Sequence, residues 1–334
     1  MSSSTIGAVV IGRNEGERLR KCLASLQSVE HRVYVDSGST DGSCDLARSL
    51  GFAVVDLDMS KAFSAARARN TGIEWLTARY PQLAFVQTVD GDCEVREGWI
   101  DTAVADLDSD PRRAVAFGRR RERNPSRNAY HAACDDEWNV ALGEVGSCGG
   151  DALLRIAALQ EVGGYNPALI AGEEPDMCLR LRGKGWRIWS NGREMTWHDV
   201  AIDRLDQWWK RSRRAGFAFA ELVDLHGENA DPSWRRLLRS AIGWTAVNTA
   251  IMPAITVAVL VPRPTVVALA AIPLALSALQ MARMAWSKRS LGGLRAIQWA
   301  GLMMVAKAAQ VQGFVQYKSQ RFTRRRTTLI EYKA

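Results

Sequence analysis

The sequence predicts an α/β protein: a Rossmann-like, mainly parallel sheet flanked by helices, with membrane helices at the C-terminal end. Three observations predict it. Short apolar runs alternate with helix-length segments between residues 6 and 89, the rhythm of a parallel sheet. Three such runs stop in polar or acidic clusters, and open α/β sheets bind their ligands at strand ends of this kind. Beyond Arg239, two stretches of 23 and 19 residues carry no charge, each long enough to cross a bilayer.

Residues 6–11 are a short apolar run and read as the first buried strand. It leads into Gly12-Arg13-Asn14-Glu15 and a helix that ends near residue 26. Residues 32–35 form the second strand, ending in Asp36-Ser37-Gly38-Ser39-Thr40-Asp41-Gly42; Thr40 or Asp41 caps the helix that follows. Residues 52–55 are a third strand, and residues 63–80 a helix carrying Arg67, Arg69 and Asn70. Residues 83–89 are the central strand, which ends in Asp90-Gly91-Asp92. Residues 119–150 are less regular, and Arg119-Arg120-Arg121-Glu122-Arg123 reads either as a solvated face or as a phosphate contact. Cys148-Gly149-Gly150-Asp151 opens a helix that Gly163-Gly164-Tyr165 closes. A further helix starts in Gly172-Glu173-Glu174-Pro175-Asp176, with Pro175 suited to its first position. Residues 187–189 and 195–197 are two short strands, the second ending at His198-Asp199. An amphipathic helix begins at Gln207-Trp208-Trp209.

The chemistry gathers at the strand ends. Asp-Gly-Asp alone is an ordinary solvated turn. Three polar clusters on one edge of one sheet make a nucleotide pocket the better reading. Asp36 can accept hydrogen bonds from a base or ribose. Asp90 and Asp92 have no basic neighbour in the chain to balance them and suit Mg²⁺ or Mn²⁺ shared with a diphosphate. Glu173, Glu174 and Asp176 at a helix start serve as capping residues or, held ionised there, as a base for a hydroxyl. His198 at a strand end is structural or a further metal ligand. Arg211 and Arg214 on the amphipathic helix suit a diphosphate or lipid headgroups. No GxGxxG follows the first strand, which argues against a dinucleotide.

Composition bears on the partners. The net charge of +8 divides unevenly: residues 1–203 hold 24 Lys and Arg against 30 Asp and Glu, and residues 204–334 hold 20 against 6. A basic half that also holds the longest apolar runs points to membrane lipids, not nucleic acid. Residues 240–262 and 264–282 form a helical hairpin around Val261-Pro262-Arg263-Pro264, either spanning the bilayer or lying on it. Its flanks, Arg235, Arg236 and Arg239 before and Lys288 and Arg289 after, place its ends and the preceding domain in the cytoplasm. Residues 294–317 are a third span or an interfacial helix, and the tail with Arg324-Arg325-Arg326 reads as headgroup-binding. The expected division is residues 1–232, 233–286 and 287–334. Six scattered cysteines form no CxxC pair and read as reduced thiols; the N-terminus reads as a first strand, not a signal peptide.

In combination and in order, VVIGRNEGERL, DSGSTDG, ARARNTGIE, VDGDCEV and GGY with GEEPDMCLRLRGKGW resemble the family 2 glycosyltransferases over roughly residues 5–215. The resemblance implies the GT-A fold and an inverting transfer from a nucleotide-sugar, UDP- or GDP-linked, with a divalent metal. It implies Asn14, Glu15, Asp36, Ser37 and Arg69 at the nucleotide side, Asp90 and Asp92 at diphosphate and metal, and a base within Glu173, Glu174 and Asp176. The base position carries Glu where the family usually has Asp. QWWKR at 207–211 departs from the pattern of the processive polymerases, so a polymerase is not expected. The hairpin suggests a lipid-linked saccharide acceptor at the inner membrane of a bacterium. A nucleotidyltransferase and a non-catalytic anchored scaffold are the alternatives.

Overall fold

Ile6–Gly12 (β1) is buried along nearly its whole length, because the apolar run IGAVVIG is covered on both faces as in any central parallel strand. The computed structural model of the protein describes residues 5–323, which fall into two compact units. The first comprises residues up to 124 together with 134–200; the second comprises residues 125–133 together with 201 onward.

In the first unit, β1 leads to Glu17–Ser25 (α1), His31–Asp36 (β2), Ser43–Ser49 (α2), Ala53–Asp56 (β3), Ala65–Arg79 (α3) and Phe85–Asp90 (β4). The remaining elements are Cys93–Val95 (β5), Trp99–Ser109 (α4), Arg113–Glu122 (β6), Ala129–Glu137 (α5), Gly143–Val145 (β7), Ala152–Arg155 (β8), Ile156–Glu161 (α6), Glu173–Gly183 (α7) and Arg187–His198 (β9). Of these, α5 begins in the second unit and ends in the first. All nine strands belong to one sheet in which β3, β2, β1 and β4 run parallel, as the β–α alternation predicts. Beyond β4 the sheet is mixed, with β8 antiparallel to both β4 and β6, and β6 parallel to β9. The register sets Gly12 beside Asp36 and Ile11 beside Asp90, so the ends of β1, β2 and β4 share one edge. Val9, Val33, Leu19, Leu76 and Trp99 lie in the core beneath that edge.

Five local expectations change. Residues 113–122 are a long strand, and the two short strands expected at 187–189 and 195–197 are one continuous β9. Residues 152–155 are a strand ahead of a short helix, because apolar Ala-Leu-Leu fills the slot between β4 and β6. The helix after β2 starts behind Gly42, whose positive φ no Thr or Asp would readily adopt. Finally, α7 starts at Glu173, so Pro175 is its third residue; its missing N–H is still among those a helix start leaves unpaired.

The second unit is helical: Leu205–His226 (α8), Pro232–Leu260 (α9), Pro264–Ser287 (α10) and Gly293–Phe322 (α11). Helices α8 and α11 meet backbone to backbone. A Cβ on Gly216 would come within 2.1 Å of the Gln310 carbonyl oxygen, and one on Gly313 within 2.0 Å of that of Arg213. Helices α9 and α10 are long and apolar enough to cross a membrane, and the apolar stretch of each is almost wholly unburied. Asn248 and Ser277 satisfy each other between them, with the Ser277 hydroxyl 2.8 Å from Asn248 Oδ1. Arg324, Arg325 and Arg326 lie outside the described residues.

Candidate active site

The three strand ends are built differently. At the end of β2, Asp36 is enclosed by its own loop. Its carboxylate accepts the Tyr34 hydroxyl at 2.9 Å and the backbone N–H groups of Gly38 and Ser39 at 2.9 and 2.8 Å. Asn14, held at a positive φ of 53°, ties the β1 loop to this one: its Oδ1 accepts the Thr40 N–H at 2.7 Å, and its N–H donates to Ser39 Oγ at 3.0 Å. Glu15 pairs with Arg18. The Ser37 hydroxyl is buried and has no hydrogen-bond partner among the described residues.

At the end of β4, expectation and structure part. Asp90 does have basic partners, supplied by distant segments. Arg69 of α3 is 2% exposed and bonds Asp90 Oδ1 at 2.8 Å, Glu173 at 3.0 Å and Glu174 at 3.1 Å. Arg120 of β6 lies 3.5 Å from Asp90 and 2.9 Å from Asp151. Asp151 is fully buried; its other oxygen accepts the Asp90 N–H at 3.0 Å, and the Thr196 hydroxyl completes its set at 2.9 Å. Burial opposes ionisation of Asp90, yet the charges of Arg69 and Arg120 outweigh it and hold the carboxyl well below its usual range. Glu174 moves the other way. Burial and the adjacent Glu173 carboxylate push it up to about 7, against the pull of Arg69.

Asp92 turns to His198, the last residue of β9, with Nε2 3.2 Å from its carboxylate. Burial, with Arg120 nearby, lowers His198 to about 4, so the imidazole is neutral at pH 7. Trp138 packs edge-on against the ring at 4.8 Å, and Nδ1 is buried without a hydrogen-bond partner among the described residues. Ligand atoms of Asp92, Cys93 and His198 lie within 4.8 Å of one another, a mixed oxygen, nitrogen and sulfur set. Asp176 is separately occupied: it holds Arg180 at 2.6 Å, and Arg180 in turn donates to the carbonyls of Val162 and Gly164. Arg211 and Arg214 lie on α8 in the second unit.

The fold thus gathers Arg69, Asp90, Glu173 and Glu174 in one cluster, Asp92 and His198 in another, and Asn14 with the Asp36 loop in a third. Sequence reasoning misses Asp151 and Gly150 and leaves Arg120 ambiguous. Strand alternation resolves the charge run: Arg119 and Arg121 face Asp135, while Arg120 points to the opposite side. Gly150 is required by space. A Cβ there would lie 2.4 Å from Arg69 Nη2 and 2.9 Å from Asp90 Oδ2.

Residues 8–146, which carry the Asp36 loop, Arg69 and Asp90-Gly91-Asp92, match Glycosyl transferase family 2. Over these residues the chain is similar to that family. Among named relatives, the pre-mycofactocin glycosyltransferase of Mycobacterium tuberculosis is 27% identical over 247 residues, covering 69% of this chain and 50% of that one. The succinoglycan biosynthesis protein ExoA of Rhizobium meliloti is 28% identical over 189 residues, 52% of this chain and 54% of that one. Glycosyltransferase AglE of Haloferax volcanii is 28% identical over 111 residues, 30% of this chain and 35% of that one. The chain therefore spans about half the length of these relatives, or less. Among solved structures, the mannosyltransferase PcManGT from Pyrobaculum calidifontis, in complex with GDP-Man and Mn²⁺, superimposes with a TM-score of 0.57 at 17% identity, covering 94% of this chain and 87% of that one. That likeness is one of fold, and the fold is the GT-A arrangement the motifs imply: a central sheet flanked by helices.

Proposed function

We propose that the protein transfers a sugar from a nucleotide-sugar to a hydroxyl of a lipid-linked acceptor, with inversion, at the cytoplasmic face of a membrane. The observation that carries the reading is the buried Arg69, which holds Asp90 of the strand end and Glu173 and Glu174 of α7 in one cluster. The family match and the glycosyltransferase names of its relatives support the reaction class. Asn14, Glu15, the Asp36 loop and the free Ser37 hydroxyl form the nucleotide side. The donor diphosphate lies toward Asp90 and Asp92.

Among the α7 carboxylates, Glu174 is the base. Its side chain is 15% exposed against 5% for Glu173, and Asp176 is engaged with Arg180. A pKa near 7 matches a group that must take a proton at neutral pH. The acceptor oxygen bonds to the anomeric carbon as its proton passes to Glu174, and the sugar–phosphate bond breaks to release the nucleoside diphosphate. Arg69 keeps the carboxylate aimed, and Arg69 and Arg120 supply positive charge beside the leaving phosphates.

The donor set fits a divalent metal. Asp92 offers a hard oxygen, and the neutral His198 offers a nitrogen suited to Mn²⁺. When bound, the metal would offset charge on the diphosphate. Asp90 would join by giving up part of its bond to Arg69 or Arg120.

Residues 233–286 act as the anchor in this reading. Their apolar side chains, worth roughly 1.5–3 kcal/mol each when fully buried for the larger ones, are otherwise left in water. The basic flanks of α9 and α10 support a cytoplasmic catalytic unit. Product analysis tests the proposal. Purified full-length protein in detergent, given a panel of UDP- and GDP-sugars, should release free nucleoside diphosphate. Release of pyrophosphate would identify nucleotidyl transfer instead, and no turnover of any donor would leave a scaffold.

A further inference from the structure

The second unit contains a cavity that the sugar-transfer chemistry does not use. Its volume is about 140 Å³, and Ser126, Asn128, Leu291, Arg295, Gln298 and Trp299 line it. Its composition is one-sided. No carboxylate is among its lining residues. Arg295 has no ion pair or hydrogen bond among the described residues, and neither do the Ser126 hydroxyl, the Gln298 amide or the Trp299 indole N–H. Asn128 is the exception: its amide donates to Ile202 and Asp203, and its carbonyl accepts the His131 N–H. Asp203, the acid near this wall, is already paired with Arg127 at 2.7 Å, and His131 Nε2 lies 3.9 Å from it. The space thus presents one guanidinium, reachable from solvent, beside hydroxyl, amide and indole groups, and no carboxylate. A guanidinium in that setting recognises a phosphate or carboxylate, and its planar fork favours two oxygens of one group.

The rim indicates which kind of anion. Trp286 at the end of α10 and Leu294 at the start of α11 are 72% and 71% exposed, and Ile297 lies exposed one turn further on. Lys288 sits 5.2 Å above the Trp299 ring and Arg289 5.2 Å above the Trp286 ring. Exposed apolar side chains beside aromatics with stacked cations are the composition of a bilayer interface. This collar lies where α10 ends and α11 begins, the end of the hairpin assigned above to the cytoplasmic surface.

We infer that this pocket binds the phosphate of a lipid headgroup through Arg295, Ser126, Gln298 and Trp299, with the hydrocarbon chain lying along the Trp286, Leu294 and Ile297 rim. The inference rests on the membrane-anchored reading of the protein and extends it from a general lipid preference to a defined phosphate site.

The test uses the full-length protein in neutral detergent, titrated with polyprenyl phosphate, the matching polyprenol, phosphatidylglycerol or inorganic phosphate, with bound ligand counted by native mass spectrometry. Polyprenyl phosphate should bind, and polyprenol should bind at least about tenfold more weakly, the scale of one lost charged contact. Arg295→Ala should weaken the phosphate lipid by a similar factor while leaving polyprenol unchanged, and Arg295→Lys should recover part of the loss. Ser126→Ala should give a smaller loss in the same direction. Thermal unfolding at the wild-type temperature verifies that each variant is folded. Phosphatidylglycerol separates the sources: tighter binding of polyprenyl phosphate marks an acceptor-type lipid, equal binding marks the general lipid phosphate, and both support the site. Wild-type affinity in both Arg295→Ala and Ser126→Ala, or inorganic phosphate competing as well as the lipid, would overturn it. Failure of the sugar-transfer reading looks different, because the wild-type protein would then release no nucleoside diphosphate from any donor while its lipid binding stood unaltered.

Discussion

Asp36 and Asp90 end the two strands that flank β1 in one sheet, yet they are stabilised in opposite ways. Asp36 is satisfied by residues within three positions of itself: Tyr34, Gly38 and Ser39. Asp90 is satisfied by Arg69 and Arg120, 21 residues before it and 30 after it by number. A carboxylate capped by backbone N–H groups of its own loop forms part of a local, rigid turn. A carboxylate held by two buried guanidinium groups depends on three elements arriving together, and removing any one leaves uncompensated charge. The first geometry suits a fixed recognition surface. The second suits a site where charge is redistributed during a reaction.

The contrast predicts unequal sensitivity. Arg69→Ala should have the largest effect. It leaves Asp90, Glu173 and Glu174 crowded with far less counter-charge, and breaking a buried pair of this kind costs about 3–5 kcal/mol. Denaturant unfolding should show that loss together with abolished transfer, whereas a stable, active Arg69→Ala protein would break the comparison. Asp36→Asn should cost only about 1–2 kcal/mol, because one oxygen remains for part of the same donor set. Its visible effect should be weaker binding of the nucleotide.

Glu174→Gln comes next. We expect transfer to fall by about 10²–10⁴, the range for loss of a general base, with donor binding retained. Normal turnover in this variant, with loss in Glu173→Gln, would move the base by one residue. Excess EDTA should likewise abolish transfer and Mn²⁺ or Mg²⁺ restore it, and Asp92→Asn should reduce the restored rate. Undiminished turnover in EDTA would remove the metal from the site.

The pH dependence follows from the same residues and is the smallest effect. With Glu174 near 7, the rate should rise as pH passes through 7 and the carboxylate ionises. Stability runs the opposite way. The folded carboxyl binds its proton more tightly than the unfolded one, whose ordinary value is 4.5, so this group's contribution is greatest below about 4.5 and is lost as pH rises toward 7. Unfolding free energies measured across that window should slope downward in the wild type and lose this component in Glu174→Gln. An unchanged slope in the variant would show that Glu174 titrates elsewhere.

Much of what depends on neighbours in the chain was legible before folding, although the exact starts of α2 and α7 were not. The β–α rhythm follows from apolar periodicity, and the strand ends follow from abrupt changes from apolar runs to Asp, Gly and Ser. The apolar parts of the two long helices follow from the uncharged runs at 240–262 and 264–282, whereas their charged ends, from Pro232 and up to Ser287, come from the structure. The Asp36 loop belongs to this class, since its hydrogen bonds are local. The sign and partner of each charge in Arg119-Arg120-Arg121 did not, because alternation cannot say which face is inward until β6 has neighbours. Asp151 read as a helix start, yet its burial and its bonds to Arg120 and Thr196 come from β8 lying between β4 and β6. Glu174 is one of three similar carboxylates in sequence. Only packing separates it, by engaging Asp176 with Arg180 and pressing Glu173 and Glu174 against one guanidinium. Desolvation and Coulomb interactions between distant segments decide protonation, and both exist only after the chain has closed around them.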